Sequence, residues 1–75
     1  MDLELAQLKA DNIGTKVTCI DLFDGLFDYV LTVGNEYTVL DIEFNCMADD
    51  YDILVTDDKG KQDWFYAFMF QPVEN

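Results

Sequence analysis

From residue 16 onward, the sequence is a series of short runs rich in β-branched and aromatic residues, and clusters of glycine, asparagine and aspartate end most of them. Such runs are typical of β-strands, and such clusters are typical of turns. The stretch DDKGK predicts a hairpin turn, because Gly60 can take the positive φ that tight turns require. The pattern predicts four or five strands, among residues 16–20, 37–44, 51–56, 63–67 and 71–73, with a turn of 3₁₀ helix at 68–70.

The beginning of the chain follows a different pattern. Leu3, Ala6 and Ala10 recur at helical spacing, and the acidic residues precede the lysine, as the helix dipole favours. The stretch DNIG then ends the pattern, so we predict a helix over residues 2–11. Residues 21–29 (DLFDGLFDY) predict a long, partly packed loop, because aspartates interrupt the apolar residues around a glycine, and residues 45–50 predict a second loop.

The length of the chain limits how these elements can be arranged. Seventy-five residues provide room for one core, and a hydrophobic content of 51% is too high for a disordered chain even at a net charge of −12. A lone sheet of four or five strands would leave long edges exposed. We therefore predict a single domain, 1–75, of the mainly β class, in which the strands form a small, partly open barrel behind a short N-terminal helix.

Four stretches of the sequence resemble a known type of barrel. They are KVTCID, LTVGNEYTVLDI, YDILVTDDKG and residues 64–68. Together they make residues 16–73 similar to the small SH3-like barrels of short phage and bacterial proteins, most of which have no assigned function. The chain departs from that family in its N-terminal helix and in its apolar, acidic first loop. The matching stretches describe turns and core positions, so the resemblance implies a fold and says little about mechanism.

The charge of the chain indicates what kind of partner it attracts. The chain has sixteen acidic residues, four lysines and no arginine. Such a surface repels nucleic acid and anionic lipid and attracts basic proteins. Arginine is the preferred residue for bidentate phosphate recognition, so its absence argues against direct nucleic-acid binding. No apolar run approaches the length of about 20 residues that spans a bilayer, and we expect a cytoplasmic protein without a membrane partner.

The composition also excludes several kinds of chemistry. Catalysis by Ser/His or Cys/His pairs requires histidine, and the chain has neither histidine nor serine. The two cysteines, Cys19 and Cys46, lie 27 positions apart without a CxxC motif, which argues against zinc. We expect two buried, reduced thiols, with a disulfide as the alternative, and we expect Val17 and Cys19 to share one strand face. No catalytic residue, metal or cofactor is predicted.

The placement of the acidic residues suggests a function. Alternate residues of a strand lie on one face about 6.6 Å apart, so Asp41 with Glu43, and Asp50 with Asp52, would form rows of carboxylates. Duplex DNA also presents regularly spaced negative charge, about one per 1.7 Å of axis. A barrel with such rows could occupy the DNA-binding groove of a protein. The predicted charged surface consists of Asp41, Glu43, Asp49, Asp50, Asp52, Asp57 and Asp58.

Aromatic residues form the second unusual feature. Trp64, Tyr66, Phe68 and Phe70 alternate along the chain, and we expect most of them to fill the core of so small a barrel. The first loop contains more apolar residues than a surface loop needs. These side chains either cap the open end of the barrel or form an apolar anchor ringed by charge, as in a binding hot spot. They are Phe23, Leu26, Phe27 and Tyr29.

The sequence therefore predicts a binding protein and not an enzyme. The preferred hypothesis is a phage-type inhibitor, acting in the host cytoplasm, that binds a basic, nucleic-acid-binding host protein by presenting DNA-like charge. Anti-restriction and anti-CRISPR proteins are similar in their small size and acidity. The alternative is an SH3-like interaction module or assembly subunit that uses the first-loop aromatics and Trp64. Either protein would be a monomer or a homodimer, and the acidity could also serve solubility alone.

Overall fold

The computed structural model describes residues 3–73, and within them the chain is mainly β with one N-terminal α-helix. The helix is therefore confirmed, although residue 2 of its predicted range lies outside the described residues. In chain order the elements are α1 (Leu3–Asn12), β1 (Lys16–Cys19), β2 (Glu36–Thr38), β3 (Asp41–Asn45), β4 (Asp50–Thr56), β5 (Gln62–Tyr66), the 3₁₀ helix Ala67–Met69 and β6 (Phe70–Pro72).

The helix ends where glycine leaves the right-handed conformation. Gly14 has a φ of +89°, and its amide donates to the carbonyl of Val39 at 2.8 Å, which fixes the end of the helix against the barrel strands. Leu5 and Leu8 of α1 pack against the core. A membrane-spanning helix needs about 20 mostly apolar residues, and no helix among residues 3–73 combines such length with such apolarity.

The strands form two antiparallel sheets of three strands each within the described residues, in the orders β2-β1-β6 and β3-β4-β5. In the first sheet, Val17 of β1 lies between Tyr37 and Pro72. In the second sheet, Ile53 of β4 lies between Ile42 and Phe65. The central strand of each sheet thus contributes its apolar positions to one shared core. The core residues are Val17, Cys19, Val30, Leu31, Tyr37, Val39, Ile42, Ile53, Val55, Phe65, Met69 and Phe70.

The prediction of one strand over residues 37–44 is wrong, because the chain changes sheets in the middle of this segment. The described residues therefore form six strands and not the predicted four or five. The amide of Val39 donates to the carbonyl of Thr15, beside β1, at 2.9 Å. The next amide, that of Leu40, donates to the carbonyl of Leu54 in β4 at 2.8 Å. The core-facing side chains change from odd to even positions across this bend. Core-facing and outward-facing residues alternate on each side of the bend, so a search for two-residue periodicity does not detect the change of sheet.

The two sheets also meet through the 3₁₀ helix, where the amide of Ile20 donates to the carbonyl of Met69 at 2.8 Å. They do not close into a complete barrel. An apolar cleft of about 190 Å³ remains between α1 and the sheets, lined by Leu8, Ile42 and Phe70 among others. The predicted partly open arrangement is confirmed at this level, and the 3₁₀ helix begins one residue earlier than predicted.

The predicted hairpin turn is confirmed. Strands β4 and β5 pair up to Thr56 and Gln62, and Gly60 in the turn has a φ of +83°. The amide of Asp57 donates to the carbonyl of Lys61 at 2.8 Å. Glycine is suited to this position because a side chain at such a φ would be strained.

Two expectations about the core are wrong. Cys46 is exposed in the turn after β3, whereas Cys19 is buried, and both thiols are free. On β5 the buried residue is Phe65, because it lies opposite the core residue Ile53, while Trp64 faces outward and is 39% exposed. The 3₁₀ helix breaks the alternation after β5, so Phe68 is also exposed.

Candidate partner-binding surface

The outer face of the second sheet gathers four of the predicted acidic residues. Asp41 and Glu43 alternate on β3, and Asp50 and Asp52 alternate on β4, whereas Ile42, between the first two, faces the core. The register places Glu43 directly opposite Asp52. Like charges at directly opposed positions repel each other, so this pair weakens the pairing of β3 with β4. A cation between the two carboxylates would reduce the repulsion. We call these four residues the acidic strip.

One cation from the helix already contacts the strip. The Nζ atom of Lys9 lies 3.3 Å from Oδ1 of Asp41 and 3.4 Å from Oε1 of Glu43. Although desolvation opposes it, hydrogen bonding and the charges of these two carboxylates raise the pKa of Lys9. Among the described residues, one ammonium against four carboxylates leaves the strip with a net of three negative charges. Both ion pairs lie at the surface, where solvent and salt screen such pairs and they contribute little to stability.

Asp52 is a half-buried member of the strip. Its Oδ2 atom accepts a hydrogen bond from Nδ2 of Asn45 at 3.1 Å. Its Oδ1 atom is buried and has no hydrogen-bond partner within the described part of the chain. A buried polar atom without a partner costs about 1–3 kcal/mol, and more when the group is charged. The fold therefore tolerates an unfavourable group at this position.

The first loop, the end of β5 and the 3₁₀ helix bring three exposed or half-buried aromatic rings together. The ring of Tyr66 stacks on that of Phe68 with 5.2 Å between centroids, and Phe23 lies 5.5 Å from Tyr66 and 5.8 Å from Phe68. Phe23 is 43% exposed and Phe68 is 45% exposed. We call these three residues the aromatic patch. Because Tyr66 lies opposite Asp52, the patch adjoins the acidic strip.

The other predicted loop residues take different positions. Leu26 and Tyr29 are exposed. Phe27 instead turns inward and packs edge-on against the core residue Phe65, with 5.6 Å between ring centroids. The two uses that the sequence suggested for this loop are therefore divided among its residues, since Phe27 covers the core while Phe23 and Leu26 remain at the surface.

An unusual backbone conformation places Phe23 in the patch. Phe23, Asp24 and Gly25 have consecutive φ values of 53°, 57° and 83°, so they form one left-handed turn. The left-handed conformation costs a residue other than glycine about 1–2 kcal/mol. The turn is stabilised by Asp21, whose Oδ1 accepts from the amide of Phe23 at 2.9 Å, and by a 3.1 Å bond from the Leu26 amide to the Phe23 carbonyl. Strain of this kind is often found at functional positions.

Asp57 was predicted to be part of the charged surface, but the structure buries it. It is buried, with 7% of its surface exposed, and its Oδ1 atom accepts from the amides of Lys59 at 2.9 Å and Lys61 at 3.0 Å. An aspartate at the start of a tight turn commonly satisfies the turn's own amides in this way. Asp57 therefore serves the fold, and a partner would not reach its carboxylate.

Asp58 connects the hairpin turn to the end of the first loop. Its carboxylate accepts from the hydroxyls of Thr32 and Tyr37, each at 2.7 Å, and its amide donates to the carbonyl of Val30 at 2.8 Å. Burial, followed by the hydrogen bond to Asp58, raises the pKa of Tyr37. The Asp58 carboxylate is thus committed to internal contacts, although the residue as a whole is exposed.

The structure divides the seven predicted acidic residues into two groups. Asp49 lies beside the strip, in the turn between β3 and β4, with a φ of 52°. Asp57 and Asp58 follow the other end of the seven-residue strand β4, which places them about 20 Å from Asp50. The sequence did not indicate Tyr66 and Phe68 as surface residues. The only available signal was that the run WFYAFMF holds more large apolar side chains than one core-facing strand can bury.

A cavity of about 150 Å³ lies where the strip meets the aromatic residues. Among residues 3–73, no group of three or more Cys, Asp or Glu side chains is arranged to hold a metal ion. The lining residues are Phe27, Asn45, Asp52, Trp64, Phe65 and Tyr66. Comparison with protein-family models, curated proteins and solved structures gives no match.

Proposed function

We propose that the chain is a non-enzymatic binding protein that docks a basic protein on the outer face of its second sheet. The observation that carries this proposal is the contact between the acidic strip and the aromatic patch at Asp52 and Tyr66. Charge attracts the partner over a Debye length of about 8 Å at physiological salt, and desolvation of the aromatic rings then stabilises the docked state. A charged rim beside an apolar centre is the usual anatomy of a protein interface.

The partner surface that we propose is one that otherwise binds nucleic acid. Alternate carboxylates on β3 and β4 are spaced by about 6.6–6.8 Å along each strand, and the strands lie about 4.8 Å apart. The strip is therefore a compact two-row array of negative charge on a rigid support. A protein that binds DNA through lysine and arginine releases counterions from the DNA, and it would gain a similar salt-dependent attraction here. Binding to the strip and binding to DNA would exclude each other.

The proposed SH3-like character of the barrel is supported by the connections between strands. A long loop follows β1, a short loop follows β3, a tight turn follows β4, and the 3₁₀ helix precedes β6. The exposed aromatic patch favours a second candidate function, an interaction module that binds its partner through apolar contacts. The two candidates differ in whether charge or the rings of Phe23 and Phe68 supply most of the binding energy.

Salt and charge reversal separate these functions. The immobilised chain is incubated with a bacterial lysate, and the captured proteins are identified and then rebound in purified form between about 0.1 and 1 M salt, over which the Debye length falls from about 10 to 3 Å. Under the proposed function, the captured proteins are DNA-binding proteins, salt releases them, and duplex DNA competes with the chain. The double variant Glu43→Lys, Asp50→Lys loses at least about tenfold in affinity, or about 1.4 kcal/mol.

The matched control is the double variant Asp11→Lys, Glu36→Lys, which changes the net charge equally at exposed positions outside the strip. If both double variants weaken binding to the same extent, the strip has no specific role and the proposal fails. If binding persists at high salt and is lost in Phe23→Ala, Phe68→Ala, the interaction module is the correct function.

A further inference from the structure

The cavity between the strip and the aromatic residues has the composition of a cation site. Four of its six lining residues are aromatic, and the other two are Asn45 and Asp52. Aromatic faces attract cations through their quadrupole, and a carboxylate supplies the counter-charge. An uncharged apolar ligand would make no favourable interaction with the carboxylate, and the carboxylate would repel an anion.

The unpartnered oxygen of Asp52 points to the same kind of ligand. Oδ1 is buried without a hydrogen-bond donor among the described residues, while Oδ2 is already bonded to Asn45. Glu43, directly opposite Asp52, adds a second negative charge. Lys9 reaches Glu43 but has no ion pair with Asp52 among those formed by the described residues. A donated N–H from a cation would satisfy Oδ1 and reduce the repulsion between the two carboxylates.

We propose that this cavity binds the side-chain ammonium of a lysine that the basic partner inserts between Trp64 and Tyr66, an inference that rests on the proposed function. The ammonium donates to Oδ1 of Asp52, and the methylene groups of the lysine pack against the aromatic rings. The volume of about 150 Å³ is well above the roughly 10–15 Å³ that holds one water molecule, and it accommodates the end of a lysine side chain.

The hydrogen bond already made by Asp52 favours lysine over arginine. Arginine binds a carboxylate best when two N–H groups of its planar guanidinium donate to the two carboxylate oxygens. Oδ2 of Asp52 is occupied by Asn45, so the fork would have to displace that bond. An ammonium is a compact point charge and needs only the one free oxygen.

Trp64 is the lining side chain that we expect to move when the ligand enters. Oδ1 is covered in the unbound chain, so one lining side chain has to rotate before a cation reaches it. Trp64 is the exposed member of the lining, whereas the other five residues are buried or half-buried. It is also the single tryptophan of the chain, so its fluorescence reports the event directly.

The test uses three capped tripeptides, acetyl-Gly-Lys-Gly-amide and its arginine and norleucine counterparts, titrated into the full chain while Trp64 emission is recorded. The lysine peptide is expected to shift the emission and to bind at least about fivefold more tightly than the arginine peptide, and norleucine should not bind. Asp52→Asn should weaken the lysine peptide at least about tenfold, the loss expected for one charged contact. Asp63→Asn, which removes an exposed charge from β5, should change the affinity less than about twofold.

A thermal melt of the same variants separates a binding role of Asp52 from a structural one. Asp52→Asn should melt at the same temperature as the parent chain or higher, because it removes the repulsion with Glu43 and a carboxylate that has one buried oxygen without a partner among the described residues. A lower melting temperature than that of Asp63→Asn overturns the proposal, since Asp52 would then serve the fold. Equal binding of the lysine and norleucine peptides, or unchanged lysine binding by Asp52→Asn, also overturns it.

The peptide titration and the partner experiment can fail separately. If lysine peptides do not bind while the captured partner still shows salt-dependent binding to the strip, only the lysine site is wrong. If lysine peptides bind through Asp52 but no basic protein is captured, the lysine site stands and the proposed function is wrong.

Discussion

Replacing Asp58 with alanine should destabilise the fold more than any other single loss of an exposed acidic residue considered above. The substitution removes the carboxylate that accepts from the Tyr37 hydroxyl, and Tyr37 is 7% exposed. A hydrogen bond to a charged group contributes about 1.5–3 kcal/mol, and the hydroxyl would be left without its acceptor in a partly buried environment. The Thr32 hydroxyl also loses its acceptor, but Thr32 is exposed and can bond to water. We expect a loss of about 2–3 kcal/mol in the free energy of unfolding.

This loss is large for a chain of 75 residues. The unfolding entropy of globular proteins is about 2.1 cal/mol/K per residue, or about 0.16 kcal/mol/K for this length. The melting temperature should therefore fall by about 12–19 °C. Asp58→Asn retains one carbonyl acceptor and should lose about half as much. Total stabilities of about 4–11 kcal/mol are typical at this size, so the variant should still fold.

Urea unfolding followed by circular dichroism measures the effect, with Asp28→Ala as the control because it removes the same charge from an exposed loop position. Removing one negative charge from a chain of net charge −12 can itself stabilise the fold, and the control measures that contribution. Tyr37→Phe completes a double-mutant cycle, in which we expect a coupling of about 1–2 kcal/mol with Asp58→Ala. Equal unfolding free energies for Asp58→Ala and Asp28→Ala would refute the reasoning.

Two further predictions concern titrating side chains. In the native chain, a thiol reagent should modify Cys46 rapidly and Cys19 only after unfolding. The reason is that Cys19 is buried, and burial raises the pKa of its thiol. Two fast-reacting thiols would contradict the placement of Cys19. Since the pKa of Tyr37 is raised in the folded state, its proton stabilises the fold fully below the unfolded value of about 10, and that contribution is lost as the pH rises through the folded pKa. Urea midpoints measured at increasing alkaline pH should fall in the parent chain, and Tyr37→Phe should reduce this fall; an equal fall in both chains would exclude Tyr37 as its origin.

Local signals in the sequence were sufficient for the elements that depend on neighbouring residues. The end of α1 near Gly14 and the hairpin at Gly60 were predictable because each requires a positive φ, which glycine adopts without strain. The strand around Val17 and Cys19 was predictable because its apolar residues alternate with polar ones. These features involve few residues and do not depend on how the sheets pack.

The candidate surface was only partly predictable. Alternation alone placed Asp41 with Glu43, and Asp50 with Asp52, on common strand faces, and the register then brought both pairs together. The same rule failed on β5, where apolar residues occupy both faces and the sequence does not indicate which face is buried. Phe65 is buried because it lies opposite Ile53 in the neighbouring strand. Its burial therefore depends on how the strands pair and not on the sequence of β5 alone.

The sequence by itself determined the acidity, the lack of histidine, serine and arginine, and the succession of one helix and short strands. The tertiary structure alone decided which charges remain available to a partner. The sequence predicts Asp57 and Asp58 to be surface acids. In the structure, the carboxylate of Asp57 accepts from amides of its own turn, and that of Asp58 accepts from the distant Tyr37 hydroxyl. Asp52 reads as one acid among sixteen, yet it is left with a buried oxygen beside aromatic rings from two other segments. A local pattern cannot reveal such pairings, because they join residues far apart in the chain and depend on the register of the sheets.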